Sequence, residues 1–362
     1  MAAEKLLSDR FRFDADTAPY GLTEAQKAGR RLFIEEISGR GMYSEVDGCP
    51  YCRAKDAVRI SETEKRGLPS NAAICGSCGG CFKSSVLTPE GDSYLYSGVS
   101  SMLRDKDVSD AGMEEAFRQR VRLFGYPRYA FISRFTDMVP VNDTVAEFGS
   151  GDGANLVPWR ENGFKVVGLE IDSRLAKFGS KKGIETVNAD AAGYDFSVAK
   201  PRLIILSHFL EHVRDADRML ERISDILPDN GYLFIEVPGI RRHGIVDTLK
   251  FFDVEHNYYF DKKSLAAMLE RRSFGVVYAD EYVRTVARPG RVAVKTRPPS
   301  GGIKAAALKA AMACFGLENA PLDGLLRQSA AGSLRIRLFN KLQGMYYDAF
   351  YGSMSRPRGR RQ

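Results

Sequence analysis

At 362 residues the chain is longer than one hydrophobic core usually serves, and with 44% hydrophobic and 27% charged residues its composition is that of a soluble globular protein of two or three domains. Residues 1 to 10 lack the apolar core of a secretory signal, and no run approaches the ~20 apolar residues that cross a bilayer, so a cytoplasmic location is expected. The net charge of +7 is unevenly placed: 14 Lys/Arg face 3 Asp/Glu from Arg288 onward, whereas the rest of the chain carries 39 against 43.

In chain order, residues 1–45 read as a helical lead-in, opened by Thr23-Glu24-Ala25-Gln26 and continued by Leu32, Phe33 and Ile37 at helical spacing. Residues 46–104 hold five of the six cysteines and a polar tyrosine stretch, and form a small module of their own. Residues 105–138 read as helices leading into a larger unit, 105–298. There, Thr144–Phe148, Lys165–Glu170, Leu203–Leu206 and Tyr232–Val237 are apolar strands separated by helix-length stretches. That alternation predicts an α/β fold, a doubly wound and mostly parallel sheet covered on both faces. Two more strands are expected at Val276–Val283 and Arg291–Lys295, with Arg288-Pro289-Gly290 turning between them. Past Pro298-Pro299, residues 299–362 read as a helical, basic extension.

The cysteines form two C-x2-C knuckles, Cys49-Pro50-Tyr51-Cys52 and Cys75-Gly76-Ser77-Cys78. In a reducing cytosol such pairs are read as metal ligands, and two knuckles complete a closed tetrahedral zinc site that supports folding rather than catalysis. Cys81 makes a competing knuckle with Cys78; the set Cys49, Cys52, Cys75 and Cys78 is favoured.

The first strand of the larger unit ends at Glu147 and runs into Phe148-Gly149-Ser150-Gly151-Asp152-Gly153. Glycines at 149, 151 and 153 suit a backbone that passes close beneath a ligand, in a G-x-G-x-G pattern distinct from the G-x-G-x-x-G that places a pyrophosphate on a helix. Glu170 ends the next strand, where a carboxylate can accept both ribose hydroxyls, with Asp172 as runner-up; Asp190 falls where adenine is contacted. With Leu206-Ser207-His208-Phe209-Leu210-Glu211-His212-Val213 and Pro228-Asp229-Asn230-Gly231-Tyr232, these features resemble the class I methyltransferases that use S-adenosylmethionine (SAM) over about residues 140–296. The resemblance implies a Rossmann-like sheet, SAM as cofactor held by Glu147, Gly149, Gly151, Gly153, Glu170 and Asp190, and methyl transfer. In the order of cysteine module, Tyr94-Leu95-Tyr96-Ser97, SAM domain and Glu255-His256, the chain also resembles the zinc-containing sugar C-methyltransferases that act on nucleotide-linked ketosugars.

That narrower resemblance implies a small-molecule or glycan-type substrate, with His256 as proton acceptor beside an orienting Glu255 and His212 as a second active-site residue. His208 stands closer still to the strand end, although it and His212 suit packing at a strand–helix junction equally well. Tyr94 and Tyr96 are expected to form a lid or substrate wall, with plain packing as the alternative. The basic, aromatic C-terminal segment fits peripheral contact with an anionic membrane or with RNA, or a helix docked on the sheet. An RNA methyltransferase and a non-catalytic SAM-fold scaffold are the competing functional readings.

Overall fold

The computed structural model describes residues 3–4, 6–105, 107, 109–197, 200–241 and 247–290. The C-terminal extension and the strand expected at Arg291–Lys295 lie outside them. The elements in chain order are β1 (Ala3–Glu4), α1 (Glu24–Leu32), β2 (Tyr43–Glu45), β3 (Ala57–Thr63), β4 (Pro69–Cys75), β5 (Cys81–Lys83), β6 (Ser85–Leu87), α2 (Pro89–Tyr94), α3 (Ser100–Arg104), α4 (Asp110–Arg120) and α5 (Tyr126–Ile132). They continue with β7 (Thr144–Phe148), α6 (Val157–Glu161), β8 (Lys165–Glu170), α7 (Ser173–Lys181), β9 (Thr186–Asn188), β10 (Leu203–Ser207), α8 (Ala216–Ile226), β11 (Tyr232–Glu236), β12 (Tyr258–Tyr259), α9 (Lys262–Arg271), β13 (Phe274–Ala279) and β14 (Arg284–Pro289). Among the described residues no helix is long and apolar enough to cross a membrane.

Local chemistry explains several boundaries. Thr23 and Gln26 close a reciprocal capping box at the start of α1, where the Thr hydroxyl accepts from the Gln26 amide and the Gln side chain from the Thr23 amide. The apolar strands β7, β8, β10 and β11 are the buried spine of a seven-stranded sheet ordered β13-β14-β11-β10-β7-β8-β9, parallel except at the β13–β14 edge. Two apolar layers cover its faces. One includes Phe148, Leu206, Leu220 and Leu269, and the other Trp159, Phe131, Ile205 and Phe234.

At the antiparallel edge the strand expected over Val276–Val283 ends at Ala279. The chain reverses at residues 280–283, and Arg288-Pro289 close strand β14. Asp280 makes that turn: its carboxylate accepts from the backbone amide and the guanidinium of Arg284, while Val283 takes a left-handed φ of 54°. Pro289 sits at the end of β14, where a missing donor is tolerated.

The cysteine module contributes a second sheet, ordered β1-β3-β4-β5-β12. Its last strand comes from far along the chain: Tyr258 and Tyr259 pair antiparallel with Phe82 and Cys81. The sheet thus crosses the division drawn from sequence at residues 104/105. The segment 253–257 just before β12 is tied to both units. Asp253 is paired with Lys65 (2.6 Å) and Arg66 (3.3 Å), Lys83 donates to the Val254 carbonyl, and Asn257 donates to the carbonyls of His212 and Val213.

Candidate active site

In the parallel pair of β7 and β10, Phe148 stands opposite Leu206, so the glycine loop and the segment His208–His212 leave the sheet side by side. This is the carboxyl edge at which open α/β sheets bind ligands. A cavity of about 2070 Å³ covers it, with Glu147, Gly149, Gly151, Glu170 and Asp190 toward one end and Tyr96, Arg104, His208 and His212 toward the other.

At the first end the three glycines differ in what holds them open. All have positive φ, 66° at Gly149, 57° at Gly151 and 77° at Gly153. A Cβ on Gly149 would meet the Phe209 ring at 2.5 Å and one on Gly153 would meet Ile184 at 2.9 Å, whereas one on Gly151 would meet nothing within 4 Å and would project into open space. Glu170 accepts from the Gly151 amide (2.7 Å) and from the Asp172 amide (2.8 Å), which fixes its carboxylate under the loop; burial raises its pKa. Asp172 is itself occupied as the N-cap of α7, bonded to the amides of Arg174 and Leu175. Asp190 is exposed and accepts from the Ala192 amide.

Glu147 is buried, and burial pushes its pKa up to about 8. One of its oxygens accepts from Asn155 (2.6 Å) and the other has no partner, an orphaned acceptor at the cavity wall. Behind it Arg128 forks onto Glu236 at 3.0 and 2.9 Å and also donates to Asn155. Against the upward push of burial, that guanidinium holds Glu236 down to about 2. The ammonium and ribose groups of SAM are donors, and this set offers them an acceptor without a donor, open space above Gly151 and a buried carboxylate beside the loop. Arg128, Asn155 and Glu236 carry no sequence signal of their own, since they meet only through the fold.

At the second end His208 is the first residue after β10. It takes a left-handed φ of 52°, uncommon for any residue but glycine, with its amide bonded to the Glu236 carbonyl. Its side chain is 51% exposed and faces the cavity. Glu211 lies beneath, 1% exposed, with His208 Nδ1 at 3.4 Å and His212 Nε2 at 3.8 Å from Oε1. Neither approach has hydrogen-bond geometry, and both carboxylate oxygens are without a donor. Burial would raise the pKa of Glu211, but the surrounding imidazoles more than offset it and hold it below the ordinary value. His212 Nδ1 is 3.0 Å from the Glu255 carbonyl, and its ring meets His256 edge-on at 4.9 Å between centroids. Burial lowers the pKa of His212 and takes that of His256 down to about 3.

The expected pairing of Glu255 with His256 does not form. The Glu255 carboxylate accepts instead from Ser100 (2.8 Å) and from Arg104 (3.1 Å), out of a turn in which the His256 amide donates to the Asp253 carbonyl. His256 is brought beside His212 but is not among the residues lining the cavity. Glu211, quoted within the Leu-Glu-His-Val run but given no role from sequence, is the carboxylate at the centre of the imidazoles. Tyr96 lies on the cavity wall, 40% exposed, whereas Tyr94 packs against the core around Leu95 and Leu87.

Away from the cavity, the Sγ atoms of Cys49, Cys52, Cys75 and Cys78 all lie within 4.8 Å of one another, with Cys49–Cys78 at 3.6 Å and Cys52–Cys75 at 3.5 Å. Thiolates at ~2.3 Å from a tetrahedral zinc ion stand about 3.8 Å apart, so the four fit that ion. The Cys78 and Gly80 amides point at the sulfurs of Cys75 and Cys78. Cys81 is buried in β5 and takes no part in the cluster.

Residues 116–279 match the family model described as a methyltransferase domain. Over 148 residues, 37% of this chain, the sequence is 32% identical to the C-methyltransferase NovU of Streptomyces niveus, and it spans about a third (33%) of that relative's length. Among solved structures it is similar to DesVI of Streptomyces venezuelae, at 15% identity and TM-score 0.40 over 51% of this chain and 100% of that one. It is also similar to the sugar N-methyltransferase KedS8 of Streptoalloteichus, at 11% identity and TM-score 0.40 over 49% and 93%.

Proposed function

We propose that residues 116–279, which match a methyltransferase domain, act as a class I, SAM-dependent methyltransferase, and that the protein methylates a small, hydroxyl-rich acceptor of the nucleotide-sugar kind, at carbon. The observation that carries this reading is the pairing, across one cavity, of an open glycine cradle beside the orphaned oxygen of Glu147 with a group of imidazoles around Glu211. Bound SAM supplies a sulfonium-activated methyl group. Gly149, Gly151 and Gly153 lend it their backbone, Glu170 accepts from its ribose, Asp190 lies toward its adenine, and Glu147 faces its ammonium.

The chain's remaining tasks are to orient the acceptor and take up its proton. Of the two imidazoles that line the cavity, His208 is the more exposed, 51% against 22% for His212, so we assign it the proton, with Glu211 beneath it to stabilise the imidazolium. Tyr96, Ser97 and Arg104 offer hydroxyl and guanidinium groups to a polyhydroxylated acceptor. Zinc on Cys49, Cys52, Cys75 and Cys78 is assigned a structural role, since four thiolates leave no open position. The relative's name supports carbon as the methyl acceptor. The tail that motivated RNA and membrane readings lies outside the described residues.

The test is methylation of a nucleotide-sugar panel by the full chain, read by mass spectrometry, with SAM binding followed by calorimetry. His208→Asn is expected to bind SAM as the wild type does and to lose roughly 10²–10⁴-fold in turnover. Absence of SAM binding by the wild type, or unchanged turnover in His208→Asn, would sink the reading.

A further inference from the structure

Glu211 sets a problem that the reaction as described does not solve. A carboxylate buried to 1% exposure with no donor on either oxygen is strongly penalised, and native folds rarely leave one so. Its neighbour makes the problem sharper. His212 Nδ1 faces the Glu255 carbonyl at 3.0 Å, an acceptor, so that nitrogen carries the hydrogen. Nε2 is then a bare lone pair turned toward Glu211 Oε1 at 3.8 Å. Two electron-rich atoms face one another across a gap too wide for a hydrogen bond and suited to a cation between them. His256 adds a third donor: one ligand atom from each of Glu211, His212 and His256 falls within 4.8 Å of the other two.

The cluster is also held rigidly. Asn257 donates its side chain to the His212 and Val213 carbonyls and its amide to the Glu211 carbonyl, which binds the two ligand-bearing segments together. The Glu255 carbonyl fixes the His212 ring as an outer partner orients a metal-bound imidazole. Two imidazoles and a carboxylate suit divalent first-row ions, and three protein ligands leave positions open, the arrangement of reactive rather than structural sites. At bond lengths of ~2.1 Å the ligand atoms would stand about 3.0–3.4 Å apart, so closing on an ion needs an inward shift of roughly 0.5 Å.

We propose that Glu211, His212 and His256 bind a divalent first-row transition ion of the Mn²⁺ or Zn²⁺ kind, distinct from the ion of the cysteine cluster. Of its three ligands His212 lines the cavity, beside His208, and the ion's open positions would lie on that side. There it would hold an acceptor oxygen next to the atom to be methylated and lower the pKa of the proton to be lost, leaving His208 free to take it. That last role rests on the methyl-transfer reading; the binding of the ion does not.

Mn²⁺ is the discriminating probe, because it prefers nitrogen and oxygen ligands and leaves a zinc-filled thiolate site undisturbed. Full-length, zinc-loaded protein is expected to take up about one Mn²⁺ per chain, seen by equilibrium dialysis and by broadening of the free-ion electron paramagnetic resonance signal. Glu211→Gln and His256→Ala are each expected to weaken that uptake roughly tenfold or more while SAM binding persists. Failure of the wild type to bind Mn²⁺, Co²⁺ or Zn²⁺ beyond the cysteine site would overturn the proposal whatever the variants do. Unchanged Mn²⁺ affinity in both variants would overturn it as well. SAM calorimetry on the same samples keeps the two readings apart: SAM binding without ion uptake removes the metal site alone, and ion uptake without SAM binding upholds the metal site and removes the methyl-donor assignment.

Discussion

Gly151 and Gly153 carry the same backbone requirement and opposite consequences. Either one changed to alanine incurs the roughly 1–2 kcal/mol of a left-handed L-residue. In Gly153→Ala the new methyl also presses on Ile184, so thermal melts should show the larger loss of stability there. In Gly151→Ala it meets no protein atom and enters the cradle, so calorimetry should show SAM affinity falling about tenfold or more with a smaller change in melting temperature. Equal SAM affinity in Gly151→Ala and wild type would mean that the cradle holds something else. A second residue-scale prediction concerns Lys83, buried with the Val254 carbonyl as its acceptor, whose pKa burial lowers from 10.5 to about 8. The folded chain releases this proton near pH 8 and the unfolded chain keeps it to about 10.5. Between those values the unfolded state binds the extra proton, and raising the pH favours the fold. Wild-type stability should therefore gain on that of Lys83→Met across this window, by an amount on the order of 3 kcal/mol. Denaturant titrations at pH 7 and 10 would show it, and a constant difference would refute it.

At the scale of elements, the strands β7, β8, β10 and β11 and the capping box of α1 were legible because each is encoded within a few adjacent residues: an apolar run, or Thr23 and Gln26 three apart. The glycine loop and the four clustered cysteines were legible for the same reason. What was missed is what tertiary contact decides. Adjacency suggested Glu255 as the partner of His256, but Arg104, 151 residues away in sequence, claims that carboxylate and Glu211 takes the central place. The apolar run Val276–Val283 suggested one strand, but the Asp280 carboxylate, bonded to the Arg284 amide, turns the chain within it. The knuckles themselves lead to a prediction. With a thiolate-bound ion linking Cys49 and Cys52 to β4, Cys52→Ser or chelation should cost about 2 kcal/mol or more, a fall of roughly 4–8 °C in melting temperature, while intact SAM affinity persists below the transition. Melting curves that do not respond to chelator would exclude a structural ion.

Across the whole molecule the two sheets are joined by side chains as well as by β12. Asp217 at the start of α8 receives Arg53 from the first knuckle (3.1 Å) and Arg271 and Arg272 from the end of α9 (3.2 and 2.7 Å). The Tyr51 ring between the knuckle cysteines packs edge-on against Phe82, Tyr258 and Phe260. The pairing of Tyr258–Tyr259 with Cys81–Phe82 therefore limits portability. A fragment beginning at residue 105 would keep every strand of the seven-stranded sheet and all of its glycine cradle, yet it would strip β12 of its neighbour and cost the loop bearing His256 its ties to Lys65, Arg66 and Lys83. The seven-stranded sheet is thus not portable by itself: a chimera that exchanged the cysteine module for another would inherit the glycine cradle intact while β12 lost the strand it pairs with.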